Sequence, residues 1–374
     1  MKERPSPGIG TPLADLPTPC LLLDQKLLLA NLQTMRDFLA ACGKNLRAHA
    51  KTHKCSRLAS LQREYGATGI CAAKVSEAWG LVASGIRDVL LTGPAVTLEA
   101  HQQILECAEE DPKFIATIDN LSNAARLSAL FLSRRRQLRC LIDLDLGFGR
   151  TGIPLRDFPG FLSALRNLPG LEILGLQAYA GHVQHIIGCE DRRKANQACL
   201  DMVSQAVKIL RREGFSAPIV SVGGTGSCQF DSEHPDVTEI QAGSYALMDA
   251  EYLQIGSREN ANRFELFPPA LFLLTTVVCA NQGKFVTVDA GLKALYRDGA
   301  NPEVVAPGLS YDWFGDEYGK VVSNGTVPLP GLGDSLRLVV SHCDPTVNLF
   351  DHFHLIEEDR LVGVWPIDLR GRSQ

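Results

Sequence analysis

The sequence predicts an α/β protein made of a (β/α)8 TIM barrel followed by a smaller β domain. Two observations favour this fold. Short β-rich runs alternate with longer helical segments over residues 25–265, and eight such pairs follow one another, whereas a doubly wound sheet usually needs fewer. After Pro268-Pro269 the pattern changes to Val-, Thr- and Leu-rich runs without long helices, which predicts a β domain over residues 266–374.

The individual elements follow from hydrophobic period and from breaker residues. The predicted barrel strands are short runs at 46–48, 69–72, 89–91, 114–118, 140–145, 174–179, 219–222 and 239–241. Helices with apolar residues at three- and four-residue intervals are predicted at 54–64, 75–83, 98–109, 121–132, 155–165 and 195–212. The β domain should contain strands near 271–278, 285–288, 336–340 and 361–365. Segment 1–24 is expected to contribute to the β domain, although its apolar run could also add a strand to the barrel.

Composition excludes several classes of function. The chain of 374 residues carries a net charge of -5 with 21% charged residues and no basic stripe, which indicates neither a nucleic-acid partner nor a membrane surface. Eleven cysteines lie in apolar stretches without paired spacing and are typical of reduced core thiols. The charged start Met1-Lys2-Glu3-Arg4-Pro5 has no apolar signal core, so a cytoplasmic protein acting on a small molecule is expected.

Lys51 is the first candidate catalytic residue. It follows the first predicted strand and is flanked by His49, His53 and Lys54. Positive neighbours lower the pKa of a lysine ammonium, and the free amine can condense with a carbonyl cofactor. A basic surface turn is the simpler alternative for this segment.

Polar and glycine-rich residues also follow the later strands, where barrel enzymes carry their chemistry. The fifth strand ends at Asp143 and Asp145 and is followed by Arg150, while the sixth ends at Tyr179 and is followed by His182 and His185. Arg150 could simply pair with Asp145 or Asp143, and the histidines could be hydrogen-bonded loop residues.

Two glycine-containing turns follow strands seven and eight, the positions where barrels often hold phosphate. In Gly223-Gly224-Thr225-Gly226-Ser227, successive backbone N–H groups can turn toward one anion, with hydroxyls adding donors. The eighth strand is followed by Ala242-Gly243-Ser244-Tyr245. The spacing is neither a dinucleotide fingerprint nor a Walker loop. A phosphate held here and a carbonyl held by Lys51 together indicate pyridoxal 5'-phosphate, although a tight turn alone would have the same glycines.

The motif Ser341-His342-Cys343-Asp344-Pro345 is a candidate metal site in the β domain. In an extended segment the side chains of His342 and Asp344 point the same way and could share one divalent ion. Nitrogen and oxygen ligands with open positions fit Mn2+ or Mg2+, while Cys343 could add a ligand for a softer metal such as zinc. A surface loop with Cys343 buried is the alternative without a metal.

These motifs together resemble the D-threonine aldolase family, which is related to D-serine dehydratase and, more distantly, to alanine racemase. The resemblance runs nearly end to end, from Thr18-Pro19-Cys20 to Arg370-Gly371. Its markers are His49-Ala50-Lys51-Thr52-His53, Lys74-Val75-Ser76-Glu77-Ala78, Gly147-Phe148-Gly149-Arg150, Gln177-Ala178-Tyr179, the turns at 223–227 and 241–245, Asp289-Ala290-Gly291 and His342-Cys343-Asp344.

The resemblance implies roles for the candidate residues. Lys51 would bind the cofactor covalently, and His185 would be the base, whereas His182 does not match the family position. The implied cofactor-binding residues are His49, Lys51, Arg150 beside the phenolic oxygen, Tyr179 near the ring, and Gly224, Thr225, Gly226, Gly243, Ser244 and Tyr245 around the phosphate. His342 and Asp344 would hold the divalent metal, and the protein would be a homodimer.

The activity implied is metal-dependent retro-aldol cleavage of a β-hydroxy-D-amino acid to glycine and an aldehyde. A D-serine-type dehydratase, a 3-hydroxy-D-aspartate aldolase, an amino-acid racemase and a cofactor-binding protein without turnover are the alternatives. Dehydratase relatives carry cysteine where Asp344 stands here, which favours the aldolase, and binding proteins lack a metal motif. Ala73, Gly93-Pro94 and Tyr318 depart from the aldolase pattern, so the identity of the substrate stays open.

Overall fold

The computed structural model describes residues 7–374, which form two compact units. The barrel unit contains residues 35–51, 56–243 and 371–374. The β unit contains the described part of residues 1–34 together with 52–55 and 244–370. The chain therefore starts in the β unit, builds the barrel, and then completes the β unit.

The twelve predicted strands are present with similar bounds. The observed strands are β1 Cys20–Asp24, β2 Asn45–His49, β3 Gly69–Ala72, β4 Val89–Leu91, β5 Ile115–Ile118, β6 Leu138–Asp145, β7 Ile153–Pro154, β8 Leu171–Ala178, β9 Ile219–Val222, β10 Glu239–Ile240, β11 Leu271–Cys279, β12 Phe285–Val288, β13 Glu303–Val304, β14 Leu309–Trp313, β15 Gly319–Ser323, β16 Ser335–Val339, β17 His352–Glu357 and β18 Arg360–Pro366. Of these, β7, β13, β14, β15 and β17 were not predicted.

The helices alternate with the barrel strands and become short after residue 212. They are α1 Gln25–Ala41, α2 Ser56–Glu64, α3 Val75–Ala83, α4 Leu98–Glu110, α5 Leu121–Ser133, α6 Phe158–Leu165, α7 Cys189–Arg212, α8 Cys228–Asp231, α9 Ala250–Leu253 and α10 Cys343–Val347. Within residues 7–374, none of these helices has the length and apolar character needed to cross a bilayer.

The barrel unit is a closed ring of eight parallel strands, as predicted. Its strands run in the order β5-β4-β3-β2-β10-β9-β8-β6, and the pairing of β6 with β5 closes the ring. Five neighbouring strands, β3, β4, β5, β6 and β8, each contribute one residue to a buried cluster of Cys71, Leu90, Ile115, Leu141 and Leu174. Parallel pairing places the carboxyl ends of all eight strands on one rim, which we call the carboxyl rim.

The β unit is a nine-stranded sheet with the order β14-β15-β12-β11-β1-β17-β18, to which β13 and β16 are added. Strand β1 pairs antiparallel with β11 and parallel with β17, so residues 20–24 lie in this sheet. Residues 244–265 group with the β unit as well. The domain limits 1–24, 25–265 and 266–374 stay a prediction.

Three helix starts differ from the predicted ones. Helix α2 begins at Ser56 rather than at residue 54, because Lys54 has a φ of 48° and cannot continue a right-handed helix. Helix α6 begins at Phe158, with a proline in its first turn. Helix α7 begins at Cys189, six residues earlier than predicted, because its first turns are mostly polar and lack the apolar period.

Candidate active site

The carboxyl rim brings together most of the predicted cofactor residues. His49 is the last residue of β2 and Lys51 follows it, Arg150 follows β6, and Tyr179 with His185 follows β8. The turn at 223–227, called the glycine turn below, follows β9, and Gly243 comes shortly after β10. Ser244 and Tyr245 continue the chain from Gly243 into the β unit, where both are buried.

Lys51 lies in a short 3-10 turn, Ala50–Thr52, directly after β2, and is half-buried. Its backbone N–H donates to Nδ1 of His49 at 3.4 Å. The Thr92 hydroxyl donates to the Ala72 carbonyl and lies 3.3 Å from His49 Nε2. His49 must therefore carry its proton on Nε2 and keep Nδ1 as the acceptor, which fixes the ring next to Lys51.

The Arg150 guanidinium stacks on aromatic rings instead of pairing with an acid. It lies 5.5 Å from the ring centroid of Tyr179 and 5.0 Å from that of Phe148. Asp145 accepts the N–H groups of Gly147 and Gly149, both at 3.0 Å, and so closes the turn that carries Arg150. Among the described residues Arg150 forms no ion pair with Asp145 or Asp143, although its charge acts on Asp143 and opposes the rise in the pKa of that carboxyl.

A buried polar chain crosses the barrel under the rim. Asp143 accepts from Thr151 Oγ1 at 2.9 Å and from Gln177 Nε2 at 3.1 Å. Gln241 Nε2 donates to Gln177 Oε1 and to Ser221 Oγ. Burial raises the pKa of Asp143 to about 6, although these hydrogen bonds oppose the shift. The sequence offered no signal that Gln241 and Ser221 would join this chain.

Two backbone N–H groups of the glycine turn already donate hydrogen bonds within the protein, which the sequence did not predict. Gly226 N–H donates to Gln184 Oε1 at 3.1 Å, and Gly224 N–H donates to Ser227 Oγ at 3.3 Å. The expectation that successive amides all point at one anion is therefore wrong for these two. Within the described chain the Ser227 N–H has no hydrogen-bond partner, so it remains available to a phosphate, and Thr225 is buried beside it.

His182 and His185, which the residue pattern alone did not separate, differ in their surroundings. His182 is exposed, stacks on Phe148 with 5.8 Å between ring centroids, and has Nε2 3.8 Å from Cys199 Sγ. His185 is half-buried in the segment between the 3-10 turn Gly181–Val183 and α7. Of the two histidines, only His185 is therefore half-buried.

The predicted metal residues lie in an acidic cluster within the β unit. His342 Nε2 is 3.9 Å from Asp344 Oδ2, while His342 Nδ1 is 2.8 Å from Asp298 Oδ2 and 3.8 Å from Glu251 Oε2. Glu251, Asp298, His342 and Asp344 are called the metal cluster below. Carboxylate and imidazole donors of this kind fit Mn2+ or Mg2+, and the residues present thus fit a divalent ion.

The local backbone of the motif differs from the extended segment predicted. His342 is extended, with φ -145° and ψ 127°, but it caps α10, and Asp344 lies in the first turn of that helix. The helix starts here because the buried Asp249 carboxylate accepts the Cys343 N–H at 2.8 Å. Helical curvature, not strand alternation, places Asp344 beside His342.

Cys343 is not a metal ligand in this arrangement. Its side chain is fully buried, and Sγ donates to the Met248 carbonyl at 3.3 Å. Burial, with Asp249 and Asp344 nearby, raises the pKa of the Cys343 thiol well above its usual range. The buried Sγ, which is bonded to the Met248 carbonyl, gives no support to the alternative in which Cys343 is a zinc ligand.

Glu251 and Asp298 were missed from the sequence. They are brought to His342 from α9 and from the segment before β13, and no motif marks them. Burial raises the pKa of Glu251, while the carboxylates of Asp344, Asp249 and Asp298 outweigh burial and raise that of His342. Gly299 permits the approach, because a Cβ there would lie 2.9 Å from Glu251 Cδ. The concentrated negative charge favours binding of a cation.

Comparison with known proteins identifies relatives over almost the whole chain. The family profile described as "Alanine racemase, N-terminal domain" matches residues 23–251, and a serine dehydratase domain profile matches 270–356. A D-threonine aldolase of Arthrobacter sp. is 36% identical over 98% of this chain and 96% of its own. A 3-hydroxy-D-aspartate aldolase of Paracoccus denitrificans is 35% identical over 97% of this chain and 95% of its own.

The fold comparison agrees with the sequence comparison. The crystal structure of D-threonine aldolase from Filomicrobium marinum superposes with a TM-score of 0.91 at 32% identity, covering 100% of both chains. The similarity therefore includes the barrel, the β unit and the order in which the chain builds them.

Proposed function

This chain belongs to the alanine racemase N-terminal domain family and is similar along its length to D-threonine aldolases, and from that premise we propose that it is a pyridoxal-phosphate-dependent carbon–carbon lyase. The family predicted from the motifs is thereby confirmed. The reaction proposed is retro-aldol cleavage of a β-hydroxy-D-amino acid to glycine and an aldehyde. The observation that carries it is a lysine on the carboxyl rim combined with a histidine–aspartate metal cluster.

The rim residues fit the cofactor by their donors and by their shape. Lys51 would supply the amine for covalent attachment, and Tyr179 with stacked Arg150 would border the ring. The phosphate would be held by residues of the two turns: Gly224, Thr225, Gly226, Gly243, Ser244 and Tyr245. Gly226 contributes by its missing side chain, since its N–H is already bonded to Gln184.

When bound, pyridoxal phosphate supplies an electron sink for the pair left on Cα as the Cα–Cβ bond breaks. His49 contributes by fixing the position of Lys51 through the hydrogen bond to its backbone. The polar chain under the rim keeps Asp143 buried and hydrogen-bonded to Thr151 and Gln177. His185 would remove the proton of the substrate β-hydroxyl.

His342 and Asp344 would hold the divalent ion, which supplies Lewis acidity to the β-hydroxyl. Asp298 accepts from or shares a proton with His342 Nδ1, and so would orient Nε2 toward Asp344. Glu251 adds negative charge 3.8 Å from the same ring nitrogen. An aspartate rather than a cysteine at position 344 favours the aldolase over the dehydratase alternative.

The product identities test this proposal. We expect protein supplied with pyridoxal phosphate and Mn2+ to convert D-threonine or 3-hydroxy-D-aspartate to glycine and an aldehyde. Proton NMR would identify the products of the two reactions, which are run in parallel. Ammonia with an oxo acid would instead establish a dehydratase, and inversion at Cα without cleavage would establish a racemase.

Substitution of His185 by alanine should lower kcat by about a hundredfold, the scale of a lost general base, with the cofactor still bound. Stopped-flow rates of glycine formation and the cofactor absorbance would be measured on the same sample. His182→Ala is the matched control, since the His182 ring is exposed to solvent and stacks on Phe148. Equal rates in wild type and His185→Ala would move the base role to another group.

Several finer points are proposals of the same kind. Ala73 and Gly93, which both depart from the aldolase pattern, are neighbours, because a Cβ at Gly93 would lie 2.3 Å from the Ala73 carbonyl oxygen. The third departure, Tyr318, is 48% exposed. These changes at the barrel rim and in the β unit are reasons to test 3-hydroxy-D-aspartate beside D-threonine.

We also propose Mn2+ as the ion, a homodimer as the assembly and the cytoplasm as the location. The eleven free cysteines support the last of these.

A further inference from the structure

Two buried side chains connect the glycine turn to the loop that carries His185. Gln184 and Arg192 both have no exposed surface. They stand on either side of His185 in the sequence, one immediately before it and one in the first turns of α7. Neither was singled out by any motif.

Gln184 uses both ends of its amide. Its Oε1 accepts the Gly226 N–H at 3.1 Å, and its Nε2 donates to Ser227 Oγ at 2.8 Å. The glycines make this contact possible, because a Cβ at Gly224 would lie 2.6 Å from Gln184 Oε1, and one at Gly226 would lie 2.1 Å from the Gln184 carbonyl. The turn and the loop are therefore packed together without space for side chains.

Arg192 bonds to the same two segments through their carbonyl groups. Its Nε donates to Gly226 O and its Nη1 to Ile186 O, both at 2.8 Å. In a trans peptide the carbonyl and the following N–H point in opposite directions, so the bond to Gly226 O turns the Ser227 N–H away from Arg192. The guanidinium thus orients the Ser227 N–H, an amide of the glycine turn that is available for an anion, and its charge lies close behind that turn.

A second buried network holds Ser227 from the other side. Ser227 Oγ donates to Asp231 Oδ2 at 2.5 Å, and Asn196 Nδ2 donates to Asp231 Oδ1 at 2.8 Å. Because Asn196 and Arg192 both lie on α7, this helix fixes the turn at two points one helical turn apart.

We infer that Gln184 and Arg192 are positioning residues that lock the glycine turn to the His185 loop, so that capture of the cofactor phosphate and placement of the base depend on the same buried contacts. This inference rests on the proposed function, because it assigns the phosphate to the turn and the base role to His185. Neither residue touches the reacting atoms.

The test compares two ligands that differ only in the phosphate. Dissociation constants of pyridoxal phosphate and of pyridoxal would be measured on apoprotein of the wild type, Arg192→Lys and Gln184→Met. We expect the constant for pyridoxal phosphate to rise about tenfold in each variant, the scale of one lost buried hydrogen bond, while that for pyridoxal changes less than about twofold. Equal weakening of both ligands, or of neither, would overturn the inference.

A double-mutant cycle tests the connection to His185. Arg192→Lys should lower kcat when His185 is present and have little further effect when His185 is alanine, since the same base is already lost. Additive effects on kcat would contradict the coupling. Exposed neighbours on α7 supply matched controls: Arg193→Lys replaces an arginine paired with Glu190, and Gln197→Met replaces a glutamine bonded to Asp201.

The outcomes separate this inference from the proposed function. Wild type that binds pyridoxal phosphate with the expected difference between ligands, but forms no glycine, would reject the lyase and keep the phosphate contact. Glycine formation with identical ligand ratios in wild type and variants would keep the lyase and reject the positioning role.

Discussion

Replacement of Lys51 by alanine should abolish turnover and covalent attachment of the cofactor together. The barrel is expected to stay intact, because Lys51 is half-buried in a short turn outside the strands. Loss of the group that forms the covalent link is among the largest single effects in enzymes, so kcat should fall by about 10⁴-fold or more. Borohydride reduction followed by mass spectrometry would show whether a cofactor adduct forms.

Two other lysines serve to interpret that result. Lys74 is exposed and follows β3 on the same rim, so Lys74→Ala removes a rim charge without removing the proposed attachment site. Its rate should stay close to that of the wild type. An adduct that persists in Lys51→Ala would move the attachment to Lys54, which lies three residues further along.

Removal of divalent ions should lower kcat by about a hundredfold or more, and added Mn2+ should restore it. Several kcal/mol of stabilisation at the developing alkoxide are lost without a Lewis acid, and each ~1.4 kcal/mol corresponds to a factor of ten. Activity would be measured after chelation and gel filtration, and again after titration with Mn2+. Full activity of the chelated protein would refute the metal requirement.

His342→Ala locates the ion. This variant should show the low rate of the chelated protein and no response to Mn2+, and calorimetry should detect no tight Mn2+ binding. Asp298→Asn tests the orienting contact at 2.8 Å, for which a tenfold to hundredfold weaker affinity for Mn2+ is expected. His352 is an exposed histidine of β17, so His352→Ala controls for effects of removing an imidazole outside the metal cluster.

The barrel was predictable because its strands are short apolar runs separated by helices of clear period. Strands β3, β4 and β9 have the predicted bounds, and the other barrel strands differ by at most a few residues. The start of α7 was not predictable, since polar residues fill its first turns although Arg192 among them is buried. Periodicity of apolar residues cannot detect a buried guanidinium that bonds to carbonyl groups.

Some residues of the candidate site were predictable from the sequence and others were not. Lys51, Arg150 and His342 belong to short sequence motifs, and such motifs can be recognised without a structure. Glu251 and Asp298 meet His342 only through the fold, so no spacing could reveal them. The extended interpretation of residues 342–344 failed because the buried Asp249, far away in sequence, starts a helix at Cys343.

Strand β1 has a consequence for how the chain is made in the cell. Its residues Leu21, Leu22 and Leu23 are fully buried between β11 and β17, which are synthesised only after the whole barrel. At about 5–20 residues per second, this apolar segment waits tens of seconds for its partners. Such distant pairing slows folding and leaves an unpaired, aggregation-prone strand during translation. Production of this protein should therefore depend on chaperones that cover this segment during translation more than on the stability of the finished fold.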